Sequence, residues 1–332
     1  MNKRRIFMLL GLLAFALIVF ANYNRVGEFG GYLRQARWYI LVFIVAAQLA
    51  GYYCMARYYQ LFTALFINKQ PLKKFFNMSL ALNFVNQAFP SGGVSSLTYL
   101  NAQMPEVPTS QITLTHFMRF VFTYISFTVI LLAGFVILML TGNVAAITSR
   151  FTLLIVSTII ALSVAGLAII SNEAWLKVVA QWVRRVANQL ARRVLRRKRD
   201  VVTHEQLDRF VGEFHEGYAA LRGDRHRWQG PLLYLFGNNI TELLTIYVVF
   251  LSFGQFVNPG VVIAGYALAN AVSVLGVFTG GVGIFEATMI ATFAALGVPF
   301  ALATAVVIVY RVLNLAIFLP VGFYFYNKSL RI

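Results

Sequence analysis

Thr279-Gly280-Gly281-Val282-Gly283 breaks an apolar stretch that runs from residue 260 to residue 297. An earlier break, Pro90-Ser91-Gly92-Gly93, separates residues 75–89 from residues 94–103 in the same way. A helix rises about 1.5 Å per residue and the hydrocarbon core is ~30 Å thick, so several of these arms are too short to cross it. Each pair reads as a re-entrant hairpin with a glycine-rich tip. Such backbone is tolerated at membrane depth only where protein or a polar cavity covers it. Two ordinary spanning pairs are the alternative and leave the parity of the topology unchanged.

Six longer apolar runs surround these pairs, at 6–22, 38–62, 112–140, 151–171, 231–252 and 301–326. Each has the length of a spanning helix. The chain has 332 residues, of which 59% are hydrophobic and 12% charged, and its mean hydropathy is +0.72. The predicted class is an all-α polytopic membrane protein of about six spanning helices plus two re-entrant hairpins. The first run, behind Lys3, Arg4 and Arg5, has the charge pattern of a signal peptide. The small-residue site near Ala21-Asn22-Tyr23 is poor, so an uncleaved anchor is expected.

Lysine and arginine fix the orientation. Lys3, Arg4 and Arg5, then Lys69, Lys73 and Lys74, then the basic stretch after the fourth run, and finally Lys328 and Arg331 all fall on one side. Arg25, Arg34, Arg37 and Arg150 fall on the other. Both termini are therefore expected in the cytoplasm.

Of 28 Lys/Arg residues, Arg57, Arg119 and Arg311 are stranded inside apolar runs, and of 11 acids so are Glu242 and Glu286. An ionisable group at bilayer depth costs ~2.5–3.5 kcal/mol on insertion scales and normally faces a polar interior. The cationic excess suggests a cavity that receives an anion. Arg57 lies near the end of its run, where snorkelling is a sufficient explanation. Glu286 and Arg311 read equally as an ion pair or as substrate contacts. Glu242 is a candidate partner of Arg119 or Arg57, or a carrier of a coupling proton.

Span, Gly-Gly hairpin and span with a buried arginine occur in that order twice, at 38–140 and 231–327. Pro90-Ser-Gly-Gly-Val precedes His116-Phe-Met-Arg119, and Thr279-Gly-Gly-Val precedes Val309-Tyr-Arg311. By the charge-derived topology the two hairpins open to opposite sides, the inverted-repeat pattern of transporters. Coincidental glycine pairs are the plain alternative. A half-helix after each tip presents free N–H groups and a positive dipole end, near Ser95 and near Ile284. A phosphate placed between them would meet two helix starts and a guanidinium. The candidate substrate residues are thus Arg119, Arg311, Glu286, Glu242, Gly92, Gly93, Ser95, Gly280, Gly281 and Gly283, with Asn83 and Asn86 along the approach.

Other chemistry finds little support. Cys54 is the sole cysteine, and His204, His215 and His226 match no metal spacing, so neither a metal nor a cofactor is expected. Gly281-Val-Gly283 is a fragment of a nucleotide fingerprint without the strand that should precede it. Residues 172–230 form a basic cytoplasmic segment. Nine cations and no acid lie between Lys177 and Arg199, while Trp175, Val179, Trp182, Val183, Val186, Leu190 and Val194 recur at helical spacing. A helix over 173–199, lying on the anionic inner leaflet, is expected. Nucleic-acid binding is disfavoured by its juxtamembrane place and its tryptophans. Thr203-His-Glu-Gln206 is a capping-box pattern opening a second helix, with Leu207, Phe210, Val211, Phe214 and Tyr218 on one face.

Phe278-Thr-Gly-Gly-Val-Gly-Ile-Phe-Glu286, Leu296-Gly-Val-Pro299, Val309-Tyr-Arg311 and Pro320-Val-Gly322 are similar to the C-terminal signature of the lysylphosphatidylglycerol synthase transmembrane (flippase-like) family. Asn83-Phe-Val-Asn-Gln-Ala-Phe-Pro-Ser-Gly-Gly93 resembles its N-terminal signature, and the likeness covers roughly residues 10–327. The chain departs from the pattern at Ser95-Ser96-Leu97-Thr98, where the family would carry charge. The resemblance implies lipid translocation in a bacterial-type cytoplasmic (inner) membrane, with Glu286 and Arg311 as motif residues and Arg119 as their first-repeat counterpart. Six residues follow Tyr326, so no aminoacyl-transfer domain is expected.

Three functions remain open at this point. The first is a flippase-like transporter of an anionic phospholipid or polyprenyl-phosphate-linked glycolipid. The second is a non-catalytic partner that anchors a cytoplasmic enzyme through residues 172–230. The third, a membrane-embedded glycosyl- or acyltransferase, needs a base or metal-binding carboxylates, and on the external face only Glu28 lies outside the membrane. No Walker loop is present, so ATP hydrolysis is not expected.

Overall fold

In the computed structural model, residues 31–330 are described apart from 33, 89–93, 142–156, 158–160, 162, 163, 167, 170, 195–202, 224 and 274–282. The expected first span, 6–22, lies outside the described residues, as do most of the fourth and both glycine tips. Every regular element among the described residues is helical. A short 3₁₀ turn, Trp38–Leu41, leads into α1 (Val42–Thr63), followed by α2 (Leu72–Ala88), α3 (Val94–Gln103) and α4 (Thr109–Leu140). Next come α5 (Glu173–Val194), α6 (His204–Gly223) and α7 (Arg225–Ser252). The chain closes with α8 (Pro259–Ser273), α9 (Ile284–Ala295) and α10 (Phe300–Ser329).

Four stretches are long and apolar enough to span: Trp38–Thr63, Thr109–Leu140, Arg227–Ser252 and Phe300–Ser329. The described parts of α2, α3, α8 and α9, with 17, 10, 15 and 12 residues, measure about 15–26 Å at the helical rise. The helix boundaries follow local chemistry. Both α4 and α10 start directly after a proline, Pro108 and Pro299, which fixes the entering backbone and cannot extend a helix backwards. The α6 capping box forms as its sequence predicts: the Thr203 amide donates to Gln206 Oε1 at 3.0 Å, and the Gln206 amide donates to Thr203 Oγ1 at 3.3 Å. Helix α7 begins earlier than the apolar run did, because Pro231 sits inside the helix rather than ending it.

Elements of the two halves interlock. The most extensive packing joins α1 to α7; α2 packs on α10, and α8 packs on α4. Small residues permit this closeness, as is usual between membrane helices. A Cβ on Gly51 of α1 would lie 2.8 Å from Thr241 Oγ1, and one on Gly322 of α10 would lie 2.6 Å from the Leu80 carbonyl oxygen in α2. Gly134 of α4 stands in the same relation to Ile263 of α8, at 2.7 Å.

Buried apolar side chains fall into two clusters. One gathers Ile44, Phe127–Leu138 and the inner faces of α7–α10. The other gathers Ala56–Phe62, α2, α3, Ile112–Phe122 and the α6 face Leu207, Val211 and Phe214. Helices α1 and α4 therefore run through both clusters. Their middles, and those of α7 and α10, lie at the level where one cluster gives way to the other.

Candidate functional site

That level is polar. A cavity of about 190 Å³ is lined by Gln48, Gly51, Tyr52, Met55 and Tyr59 of α1, by Ser79, Leu82, Asn83 and Asn86 of α2, and by Ser96 of α3. His116 and Arg119 of α4, Asn238 and Glu242 of α7, and Asn314 of α10 complete it. Each long helix contributes from its interior, so no single segment of sequence announces the site. Five carboxamides, one guanidinium and one carboxylate share the wall.

Glu242 is anchored rather than free. Its Oε2 accepts hydrogen bonds from Gln48 Nε2 at 3.3 Å and from the Tyr310 hydroxyl at 3.1 Å, and Gln48 also donates to Thr245 Oγ1 at 3.1 Å. Neither of its expected partners, Arg119 or Arg57, forms an ion pair with it among the described residues. Arg57 instead donates to the Tyr234 hydroxyl at 3.3 Å and to Gln60 Oε1 at 2.7 Å. It is not among the residues that line the cavity. Arg119 is different. Its guanidinium carbon lies 4.5 Å from the Phe120 ring centroid, and its Nε is buried with no hydrogen-bond partner among the described residues. Asn83 Nδ2 is in the same condition. Buried donors of this kind are costly unless something accepts from them.

Glu286 and Arg311 make the ion pair that was one of their two readings. Arg311 Nε lies 2.6 Å from Glu286 Oε1, and the guanidinium stands 5.5 Å from the Phe285 ring. Glu286 Oε2 accepts from the Gly283 amide at 2.6 Å. Gly283 has φ 87°, a left-handed conformation that glycine adopts without the Cβ penalty. One carboxylate thus caps the start of α9 and holds α10 against it. The pair is not on the cavity wall but one residue away, through Tyr310 and Glu242.

Helix α9 starts at Ile284, where the second tip required, with Gly283 as its N-cap; the described part of α3 begins at Val94. Gly92, Gly93, Gly280 and Gly281 lie outside the described residues, so of the tip glycines Gly283 alone is placed. Ser95 is the second residue of α3, while its neighbour Ser96 faces the cavity and hydrogen-bonds Asn86 Oδ1. Gln48, Asn238 and Asn314 were missed by a search for charge. An uncharged amide in the middle of an apolar run was the signal available.

A lysylphosphatidylglycerol synthase TM region model matches residues 7–322. The chain belongs to that family. The match takes in both glycine-rich segments, the cavity and the Glu286–Arg311 pair. Two similar proteins are UPF0104 membrane proteins. The one from Methanothermobacter thermautotrophicus is 36% identical over 75 residues, covering 23% of this chain and 22% of its own length. The one from Pyrococcus horikoshii is 32% identical over 110 residues, covering 33% of each. The matched stretch is therefore a third or less of these relatives. No solved structure matches the chain.

The segment after the fourth run forms a layer beside the bundle. Helix α6 packs on α4, with Ser110 Oγ donating to Glu213 Oε2 at 2.5 Å, and α5 packs on α6. Trp175, Val178, Val179 and Trp182 form an exposed apolar stripe along α5. Between α3 and α4, a backbone hydrogen bond and then Lys74, 3.1 Å away, hold the Glu106 carboxyl below the usual carboxylate range.

Proposed function

We propose that this protein translocates an anionic lipid, its headgroup passing through the central cavity while the acyl or prenyl chains stay in the bilayer. The observation that supports this most is Arg119, which presents an unpartnered buried Nε in a carboxamide-lined cavity at mid-span. A phosphate would satisfy that donor, and Asn83 Nδ2 would supply another. In this reading 38–140 and 231–327 are inverted repeats. The reciprocal packing of α2 on α10 and of α8 on α4, with α1 against α7 between them, is what a two-fold relation of the halves would produce. The short arms act as re-entrant hairpins, and Glu286–Arg311 braces the second.

The same reading places the protein in a cytoplasmic membrane with both termini and 172–230 inside. The α5 stripe rests on the anionic leaflet, its flanking cations adding attraction. The role is binding and passage rather than catalysis: the single cavity carboxylate is already engaged by Gln48 and Tyr310. A lipid-linked sugar fits the carboxamide wall as well as a phospholipid does.

Reconstituted vesicles carrying fluorescent phosphatidylglycerol, quenched from outside, test the proposal. Wild type should raise the accessible fraction above the half that empty vesicles show, and Arg119→Gln should return it towards that baseline. Equal movement by both proteins would remove Arg119 from the route.

A further inference from the structure

A second cavity, of about 230 Å³, opens at the ends of α2, α3 and α10. It shares no lining residue with the central cavity, although Met78 and Ser79, consecutive in α2, line one cavity each. Its wall has two parts. Met78, Tyr99 and Phe325 provide an apolar floor, while Lys74, Asn77 and Lys328 offer polar heads around it. The floor is rigid: Tyr99 stacks on Tyr326 with ring centroids 5.7 Å apart, and its hydroxyl donates to Ser329 Oγ at 3.1 Å. Gln103 Nε2 donates to the Ser329 carbonyl at 3.3 Å, so its amide is occupied too.

The charges around the cavity do not cancel. Lys74 pairs with Glu106, while Lys328 forms no ion pair among the described residues. One net cation is left beside an apolar slot. We infer that this cavity is a second lipid site, which takes the phosphate and upper chain of an anionic phospholipid between Lys74 and Lys328. A free phosphate gains nothing from Met78, Tyr99 and Phe325, whereas a glycerophosphate with its first methylenes covers both parts of the wall. The two lysines come from different halves of the chain. An occupied site therefore ties α2 to α10, the contact that Gly322 already holds close. The site is independent of the central cavity and does not require that the protein move lipid at all.

Thermal unfolding of the purified full-length protein in detergent, titrated with dioctanoyl phosphatidylglycerol, reads this site. Wild type should be stabilised at lower lipid concentration than Lys74→Gln/Lys328→Gln. The displacement expected is on the order of thirtyfold, the factor two interfacial cations together supply. Lys328→Gln alone, which leaves the Lys74–Glu106 pair intact, should show part of that loss. Dioctanoyl phosphatidylcholine and inorganic phosphate should not stabilise wild type. In an Arg119→Gln background, which removes the guanidinium of the central cavity, the same displacement between the lysine variants and their parent should persist. An unchanged titration in both lysine variants would overturn the proposal, as would an equal response to phosphatidylcholine. Equal stabilisation by inorganic phosphate would show an anion site without lipid character. Loss of the displacement in the Arg119→Gln background would assign the binding to the central cavity instead.

Discussion

Replacing Glu286 by alanine removes two interactions at once. The ion pair to Arg311 spans 2.6 Å, and Glu286 is only 7% exposed. Breaking one side of a buried pair costs ~3–5 kcal/mol, and the 28% exposure of Arg311 argues for the lower end of that range. Losing the bond from the Gly283 amide adds ~1 kcal/mol, as for other helix-start caps. Glu286→Ala should therefore destabilise by ~4 kcal/mol. Glu286→Gln keeps an acceptor for Gly283 and should cost less, ~3 kcal/mol, by the charge term alone. Arg311→Met leaves a carboxylate still held by the Gly283 amide. Combining Glu286→Gln with Arg311→Met removes both charges, and stability should recover most of what either single change loses. Unfolding in mixed micelles with increasing dodecyl sulfate gives the four values. A Glu286→Ala protein within ~0.5 kcal/mol of wild type would refute a structural pair. So would a double variant no more stable than the worse single one.

Gly322→Leu should separate α10 from α2, because a Cβ there meets the Leu80 carbonyl at 2.6 Å; loss of several kcal/mol in the same unfolding assay is expected, as for overpacked cores at ~1–3 kcal/mol or more. Gln206→Ala should weaken α6 by ~1 kcal/mol through loss of its capping box, read as faster amide exchange at the first turn of α6. In a Cys54→Ala background, single cysteines near Arg209 should label only from the cytoplasmic side and cysteines near Phe256 only from outside. The reverse pattern would invert the orientation.

Much of this fold is legible in the sequence because hydropathy and punctuation act locally. The runs 112–140 and 301–326 fall within α4 and α10, which start a little earlier, directly after Pro108 and Pro299, and Thr203 to Gln206 announces α6. The Glu286–Arg311 pair was legible as an alternative, since two opposite charges in apolar runs have few other partners. The partners of Glu242 could not be read from charge, for a physical reason. Its hydrogen bonds come from Gln48 and Tyr310, neutral residues that carry no charge signal and lie far off in sequence. The cavity itself was only half visible. Arg119, Asn83 and Asn86 marked it, but the carboxamides of Gln48, Asn238 and Asn314 are ordinary residues until packing brings the long helices together. The reciprocal contacts of α2 with α10 and α8 with α4 likewise depend on tertiary packing that periodicity does not encode.

The most direct measurement is cross-linking from the lipid itself. A phosphatidylglycerol with a diazirine on its headgroup, incorporated with the wild-type protein and irradiated, should label peptides that contain Asn83, Arg119, Asn238 or Asn314. Ser79→Trp, which fills the cavity, should suppress that labelling while leaving labels on outer faces such as Val136 and Met139 of α4. Headgroup labels confined to those outer faces in wild type, unchanged by Ser79→Trp, would contradict passage through the central cavity.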